Sequence, residues 1–523
     1  MNKSISIIFT VLALAALSCT NLDIKPASSV NNEVVFDDPG SYKAFIARVY
    51  SGLAVSGQRG PDGDSDIKGI DEGFGNYMRG YWQLQTLSTD EAVIAWNDGT
   101  LYELHNQDWS PSNEFITATY NRIYVQIAMA NEFLRETSDE KLSDRGVEGA
   151  LYDDIQDYRA EARFLRALSY WHGMDLFGNI PFVTEEDQIG IEPPRQASRA
   201  EVYSYIESEL KAIENLLPAP KTGEYGRADQ AAVWSLLAKL YLNAEVYVGQ
   251  AKYAECRTYC EKVINSAAYS LSPVYRYVFM ADNDTSPEII FPVTYDGERT
   301  KTWGGTTYLV NAAIGGAMDR TVYGVAEAWA GLRTTSALVN RFPDETGDID
   351  SRALFFTNGQ TKEIDAVGTF TQGYALPKYS NIRSDSMPAS HTVHPDTDYP
   401  MFRLADVYLM YAECVLRNGG GDKALATGYI NQIRERAYGN TDGNITADDL
   451  TLEFVLDERS RELYWEAGRR IDLIRFGQFS DAGIWPWKGG VKEGVVTEAF
   501  RDLFPIPGSD LLANPNLDQN DGY

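Results

Sequence analysis

Eight stretches of this chain repeat their apolar residues at three- and four-residue steps, the spacing that gathers them on one face of an α-helix. They cover residues 114–136, 152–176, 199–217, 229–247, 251–267, 403–417, 422–437 and 447–476. In 229–247, Ala232, Val233, Leu236, Leu237, Leu240 and Tyr241 form one stripe. Ser198 and Glu201 stand in capping-box spacing before 199–217, and Pro218 closes that segment. The helices come in pairs with short linkers, and small Ala residues sit beside Tyr and Leu. That pattern predicts a mainly α chain built on stacked hairpins of tetratricopeptide type, in scaffold pieces at about 114–267 and 403–476.

Between the helical pieces lie stretches of another texture, at about 55–112 and 271–400, and a tail at 477–523. Gly, Asn, Asp, Tyr and Trp accumulate there, with short strand-like runs such as 288–294. An insertion of this length must pack on the helical array, and ordered loops on a rigid scaffold are where ligand contacts concentrate. The net charge of -29 repels phosphate backbones, so nucleic acid is not an expected partner. The 32 Tyr and 10 Trp suit either close helix packing or a surface on which sugars stack.

Residues 1–18 read as a signal peptide. Lys3 precedes a mainly apolar run of thirteen residues, 5–17, about 20 Å as a helix and short of a bilayer core of about 30 Å. Ala16-Leu17-Ser18-Cys19 then has the form of a bacterial lipoprotein cleavage site, with Cys19 as the lipidated residue and 19–523 as one tethered domain. The remaining cysteines, Cys256, Cys260 and Cys414, are too few for a disulfide framework and read as buried small hydrophobes.

Catalytic signatures are missing. The chain has four histidines, His105, His172, His391 and His394, and no nucleophile elbow, zinc-protease helix or phosphate-binding loop. His391-Thr-Val-His394 lacks a third metal ligand. The 440–448 string resembles half a calcium loop without the twelve-residue pattern, and reads as a solvated turn. No catalytic role, cofactor or metal is expected, and structural calcium is the one cation the sequence suggests.

Six strings then occur in order along the chain: Cys19-Thr-Asn-Leu-Asp-Ile-Lys-Pro26; Ala160-Glu-Ala-Arg-Phe-Leu-Arg-Ala167 leading to Asp175-Leu-Phe-Gly-Asn-Ile-Pro-Phe182; Gly226-Arg-Ala-Asp229; Arg403-Leu-Ala-Asp-Val-Tyr-Leu409; Asp457-Glu-Arg-Ser-Arg-Glu-Leu463 with Glu466, Gly468 and Arg470; and Phe504-Pro-Ile-Pro507 with the Gln519–Tyr523 end. With them the chain resembles the SusD/RagB family, glycan-binding outer-membrane lipoproteins of Bacteroidetes. The resemblance implies a non-catalytic, lipid-anchored protein at the cell surface. It also implies an oligosaccharide or polysaccharide ligand and, as partner, a TonB-dependent transporter barrel. Within the family, starch binders present an arc of aromatic side chains to an α-glucan, with polar groups beside it.

Starch or maltooligosaccharide is therefore the expected ligand. Xylan, levan, a host glycan, a polysaccharide-degrading enzyme and a pure interaction scaffold are the rival readings. Trp96 and Tyr295 each follow an apolar strand-like run and precede an Asn/Asp-Gly turn, Asn97-Asp98-Gly99 and Asp296-Gly297, which suits an exposed stacking ring. Asp71 and Arg79 lie in a loop resembling that of the starch binders. Trp329, then Trp303 and Tyr323, are candidates to complete the arc. The Arg/Glu-rich strings are expected to lock helices together rather than touch sugar.

Overall fold

The computed structural model describes residues 35–36, 38–61, 65–188, 190 and 192–523; the leader 1–18 and Cys19 lie outside the described residues. The helical array is α1 (Gly40–Ala54), α2 (Tyr77–Trp82), α3 (Glu114–Glu136), α4 (Ala150–Phe177), α5 (Arg199–Ile213), α6 (Gln230–Leu242), α7 (Tyr253–Asn265), α8 (Gly305–Ala312), α9 (Leu404–Leu416), α10 (Lys423–Tyr438), α11 (Leu452–Leu463) and α12 (Arg469–Arg475). Neighbours in sequence pack as neighbours in space: α3 on α4, α4 on α5, α6 on α7, α9 on α10. The joint between the two scaffold pieces is α7 on α9.

Local chemistry sets the helix ends. Asn113 caps α3 by accepting from the N–H groups of Phe115 and Ile116, both at 3.0 Å. Ser198 and Glu201 close a full capping box on α5. The helix α4 stops at Gly178, whose φ of 72° continues the chain without a Cβ penalty.

The 447–476 segment departs from the expected single helix. It breaks after Leu463, with Trp465 and Ala467 at φ 60° and 55°, before α12 resumes at Arg469. Left-handed backbone at non-glycine residues costs on the order of 1–3 kcal/mol and needs compensation. Here it comes from Glu91, whose carboxylate accepts the Trp465 N–H at 3.0 Å, and from the Trp82 indole, which donates to the Trp465 carbonyl at 2.8 Å.

The Arg/Glu strings lock elements together, as expected. Arg403 pairs with Glu288, Glu462 and Glu466, and Arg352 with Asp350, Glu458 and Glu462. Arg459 spans Asp406 of α9 and Asp472 of α12, and Arg470 reaches Asp175 on α4. These charges are buried, and their mutual pairing offsets the desolvation that burial imposes. Cys256, Cys260 and Cys414 are free, buried thiols.

Two two-stranded pairings stitch the irregular half and bear on function, formed by β1 (Val93–Ile94), β2 (Ile289–Val293), β3 (Leu332–Arg333) and β4 (Tyr399–Arg403). β1 runs antiparallel to β3, Ile94 opposite Leu332, and β2 runs antiparallel to β4, Val293 opposite Tyr399. The first pairing carries Trp96 out of the core at its end.

Candidate functional site

Past β1 the ladder continues for one more bond, from the Ala95 N–H to the Gly331 carbonyl at 2.8 Å. The next side chain, Trp96, is half-buried and lies directly on the Gly331 backbone. A Cβ at position 331 would stand 2.5 Å from its Cε2. The Trp96 indole donates to the Trp329 carbonyl at 2.9 Å. The segment 329–331 is strapped to the end of α8 by three backbone bonds of 2.8–2.9 Å, from Trp329 to Asn311, Ala330 to Ile314 and Gly331 to Ala312. Trp303 sits just before α8.

These anchors produce a row of three half-buried indoles. Trp96 and Trp329 have ring centroids 6.3 Å apart at 50°, and Trp329 and Trp303 are 6.1 Å apart at 55°. Trp329 links the other two, so the three candidate indoles Trp96, Trp329 and Trp303 stand side by side.

Arg79 lies against the row. It is 6% exposed, with its guanidinium 4.5 Å from the Tyr308 ring, 4.8 Å from Phe74 and 6.0 Å from Trp96, and Nη1 donates to the Trp303 carbonyl at 3.4 Å. Burial lowers its pKa, while Tyr308, Asp71 and Asp98 favour the charged form. Arg79 therefore organises the rings and holds positive charge facing two carboxylates. Asp71 is exposed and folds its own loop by accepting the Gly73 and Phe74 N–H groups at 2.8 and 3.3 Å. Asn97 and Asp98 are exposed on the turn beside Trp96. The Trp329 indole donates to Glu327 at 3.1 Å, which adds a fourth polar group to the rim.

Tyr295 is a correction. Its ring is 6% exposed and lies against the start of α8, where a Cβ on Gly305 would stand 2.1 Å from its hydroxyl oxygen. Two residues past β2 the Tyr295 side chain turns inward, and the Tyr295 N–H is held by Asp398 at 2.7 Å. Tyr295 cannot offer a face to a ligand. Tyr323, 9% exposed, is likewise a core residue.

Two supporting residues carry no sequence signal of their own. Asn76 caps α2 through Arg79 and reaches the Gly305 N–H with the same oxygen, both at 3.0 Å, which ties α2 to α8. Tyr308, fully buried, supports both Arg79 and the edge of Trp96, 6.0 Å between centroids. Recognising 305–312 as a helix would have drawn attention to it.

Flat apolar faces bordered by exposed carboxylate and amide groups suit a neutral polyhydroxylated ligand, whose ring faces stack and whose hydroxyl edges find acceptors. Among the described residues no group of three or more His, Cys, Asp or Glu side chains is placed to hold a metal, and no helix is long and apolar enough to cross a membrane.

Two family models match the chain: one described as the SusD family, over residues 346–523, and one described as starch-binding associating with outer membrane, over 71–242. The chain is 36% identical to the starch-binding protein SusD of Bacteroides thetaiotaomicron, over 99% of this chain and 98% of that protein. It is 25% identical to SusD-like protein P25 of Formosa agariphila, over 98% of each. Among solved structures, a SusD homologue from Bacteroides thetaiotaomicron superposes with a TM-score of 0.73 at 20% identity, covering 95% of this chain and 99% of that one. Surface glycan-binding protein A from the same organism, in complex with laminarihexaose, gives a TM-score of 0.71 at 19% identity, covering 92% and 99%. At these identities the structural likeness bears on fold alone.

Proposed function

Because this chain belongs to the SusD family, we propose that it binds starch or maltooligosaccharides at the cell surface, without catalysis, and delivers them to a TonB-dependent outer-membrane transporter. The observation that carries the reading is the row of Trp96, Trp329 and Trp303, half-buried and bordered by exposed Asp71, Asn97 and Asp98. An α-glucan is a curved ligand, and neighbouring indoles inclined at 50–55° to one another do not form one flat surface. The relative at 36% identity is a starch-binding protein, which supports the same ligand.

In this reading Trp96, Trp329 and Trp303 stack on sugar faces, while Asp71, Asn97 and Asp98 take hydroxyls. Arg79 keeps the rings and carboxylates in register. The domain runs from residue 19, and lipidated Cys19, outside the described residues, tethers it to the outer membrane. No bound cofactor is required, and the 440–448 turn is a solvated loop. Within that turn the Asp442 N–H bonds to the Asn440 side chain at 2.8 Å.

Electrophoresis of the purified protein through gels containing starch, laminarin, xylan or levan tests the ligand. Retardation by starch alone supports the α-glucan reading, and retardation by laminarin alone replaces it with a β-glucan in the same role. New reducing ends on incubation with any of these, abolished by a single carboxylate substitution, would make the protein an enzyme instead.

A further inference from the structure

The ring row does not end at Trp303. His394 packs on Trp303 with centroids 5.0 Å apart, and His391 stacks on His394 at 5.3 Å with the planes only 26° apart. His394 is 5% exposed and acts as a support, while His391 is half-buried at the surface. The turn that carries them is built closely. Its His391 Nδ1 accepts the N–H groups of Val393 and His394, both at 3.1 Å. A nitrogen that accepts cannot carry the ring proton, so the neutral imidazole holds its proton on Nε2 and offers it as a donor.

Gly297 packs against the back of this turn. A Cβ there would stand 2.3 Å from the His394 carbonyl oxygen and 2.9 Å from the His391 Cβ. Asp396 completes the junction by accepting the Gly297 N–H at 2.8 Å and both polar groups of Ser390 at 2.6 and 2.7 Å. The Asp296-Gly297 turn, which the sequence suggests as a support for an exposed Tyr295, instead supports a histidine.

We propose that His391 is a further saccharide-contacting residue, forming an outer subsite that extends the indole row and makes the site favour longer oligosaccharides. This rests on the reading of the row as a glycan platform. Each step, from Trp96 through Trp329, Trp303 and His394 to His391, lies between 5.0 and 6.3 Å, so the rings form one continuous support. At its end the imidazole presents a ring face to a sugar and an Nε2–H to a hydroxyl oxygen. It differs from the indoles in carrying its hydrogen-bond donor on a surface ring whose orientation the turn fixes.

The test is a chain-length comparison by isothermal titration, with maltotriose and maltoheptaose as probes. Two variants are used: Trp96→Ala, and His391→Asn, whose side-chain oxygen can take over the two backbone N–H groups and keep the turn while removing the ring. The expected result is a loss of about threefold to tenfold for maltoheptaose in His391→Asn, the range of one modest aromatic contact, with maltotriose affinity unchanged. Trp96→Ala weakens both ligands. Equal loss of both in His391→Asn would make His391 a determinant of loop shape, and unchanged affinity for both would place it off the ligand path; either result overturns the subsite while leaving the platform standing. If the unmodified protein binds neither sugar, the α-glucan reading itself fails and the subsite falls with it.

Discussion

The indole N–H of Trp96 donates to the backbone carbonyl of Trp329 at 2.9 Å, joining two segments 233 residues apart. One indole of the row therefore positions the backbone of the next. Only the ring edge is used in this bond, while the ring itself packs on the Gly331 backbone, and the spacing of the row is set by main chain rather than by flexible side chains.

Gly331 is the tightest constraint on that geometry. Gly331→Ala places a methyl group 2.5 Å from the Trp96 ring, closer than side chains tolerate, and the indole must lift. Maltoheptaose affinity should fall about tenfold, within the range for loss of one stacked ring. The melting temperature should change little, because the displaced ring is already at the surface. Titration and tryptophan fluorescence of the variant measure both; unchanged affinity would show that Trp96 tolerates displacement.

Tyr295 should behave as core. Tyr295→Ala removes a ring that is 6% exposed and should cost about 3–5 kcal/mol of stability. Glycan affinity, measured well below the melting temperature, should be retained within about twofold. Tyr295→Phe removes a buried hydroxyl that has no hydrogen-bond partner among the described residues and should be neutral or slightly stabilising. Denaturant titrations check the pair, and a variant that loses binding but not stability would return Tyr295 to the site.

Asp398 supplies a pH dependence. Burial pushes its carboxyl from the ordinary 3.8 up to about 7, against the opposing hydrogen bonds from the Tyr225 hydroxyl and the Tyr295 N–H. A raised folded-state pKa means that the folded protein binds more protons than the unfolded chain between these values. Its contribution is complete below about 4 and is lost as pH rises through about 7. Asp398→Asn should remove up to about 4 kcal/mol of that fall, read as a flatter stability–pH curve between pH 4 and 7. An unchanged slope would assign it to other groups.

The opposite sign belongs to the buried ion pairs. Glu458, held by Arg352, Arg461 and Arg434, has its pKa lowered from 4.5 to about 2. Its contribution is present above about 4.5 and is lost as pH falls toward 2. Glu458→Gln should destabilise at pH 7 by about 3–5 kcal/mol, since it leaves buried guanidinium groups underpaired, and the difference from the unmodified protein should shrink near pH 2. Thermal unfolding across that range checks it.

Much of the helical scaffold was legible because its signal is local. The helix α3 occupies Glu114–Glu136, the range its apolar spacing predicts, and the Ser198–Glu201 box is present. What the sequence hid depends on contacts between distant segments. The break at Trp465 is held by Glu91, 374 residues away along the chain. Trp96 and Tyr295 share the same local pattern, an apolar run before an Asn/Asp-Gly turn, yet one continues past a two-residue strand at the surface and the other is covered by α8. Arg79 gave no sign that it would be buried among rings, because Tyr308 and Phe74 reach it from different parts of the fold. The indole row was accessible as a set of candidates, and only the β1–β3 pairing orders it.

The most direct test of the central claim is maltoheptaose titration of Trp96→Ala beside its melting curve. The account predicts binding weakened by about ten- to a hundredfold, from a stacking loss of about 1–3 kcal/mol. The melt should fall only modestly, because the ring is half-buried and gives up one hydrogen bond of about 1 kcal/mol. A large drop in the melt with affinity intact would make Trp96 a core residue and contradict the assignment of the glycan platform.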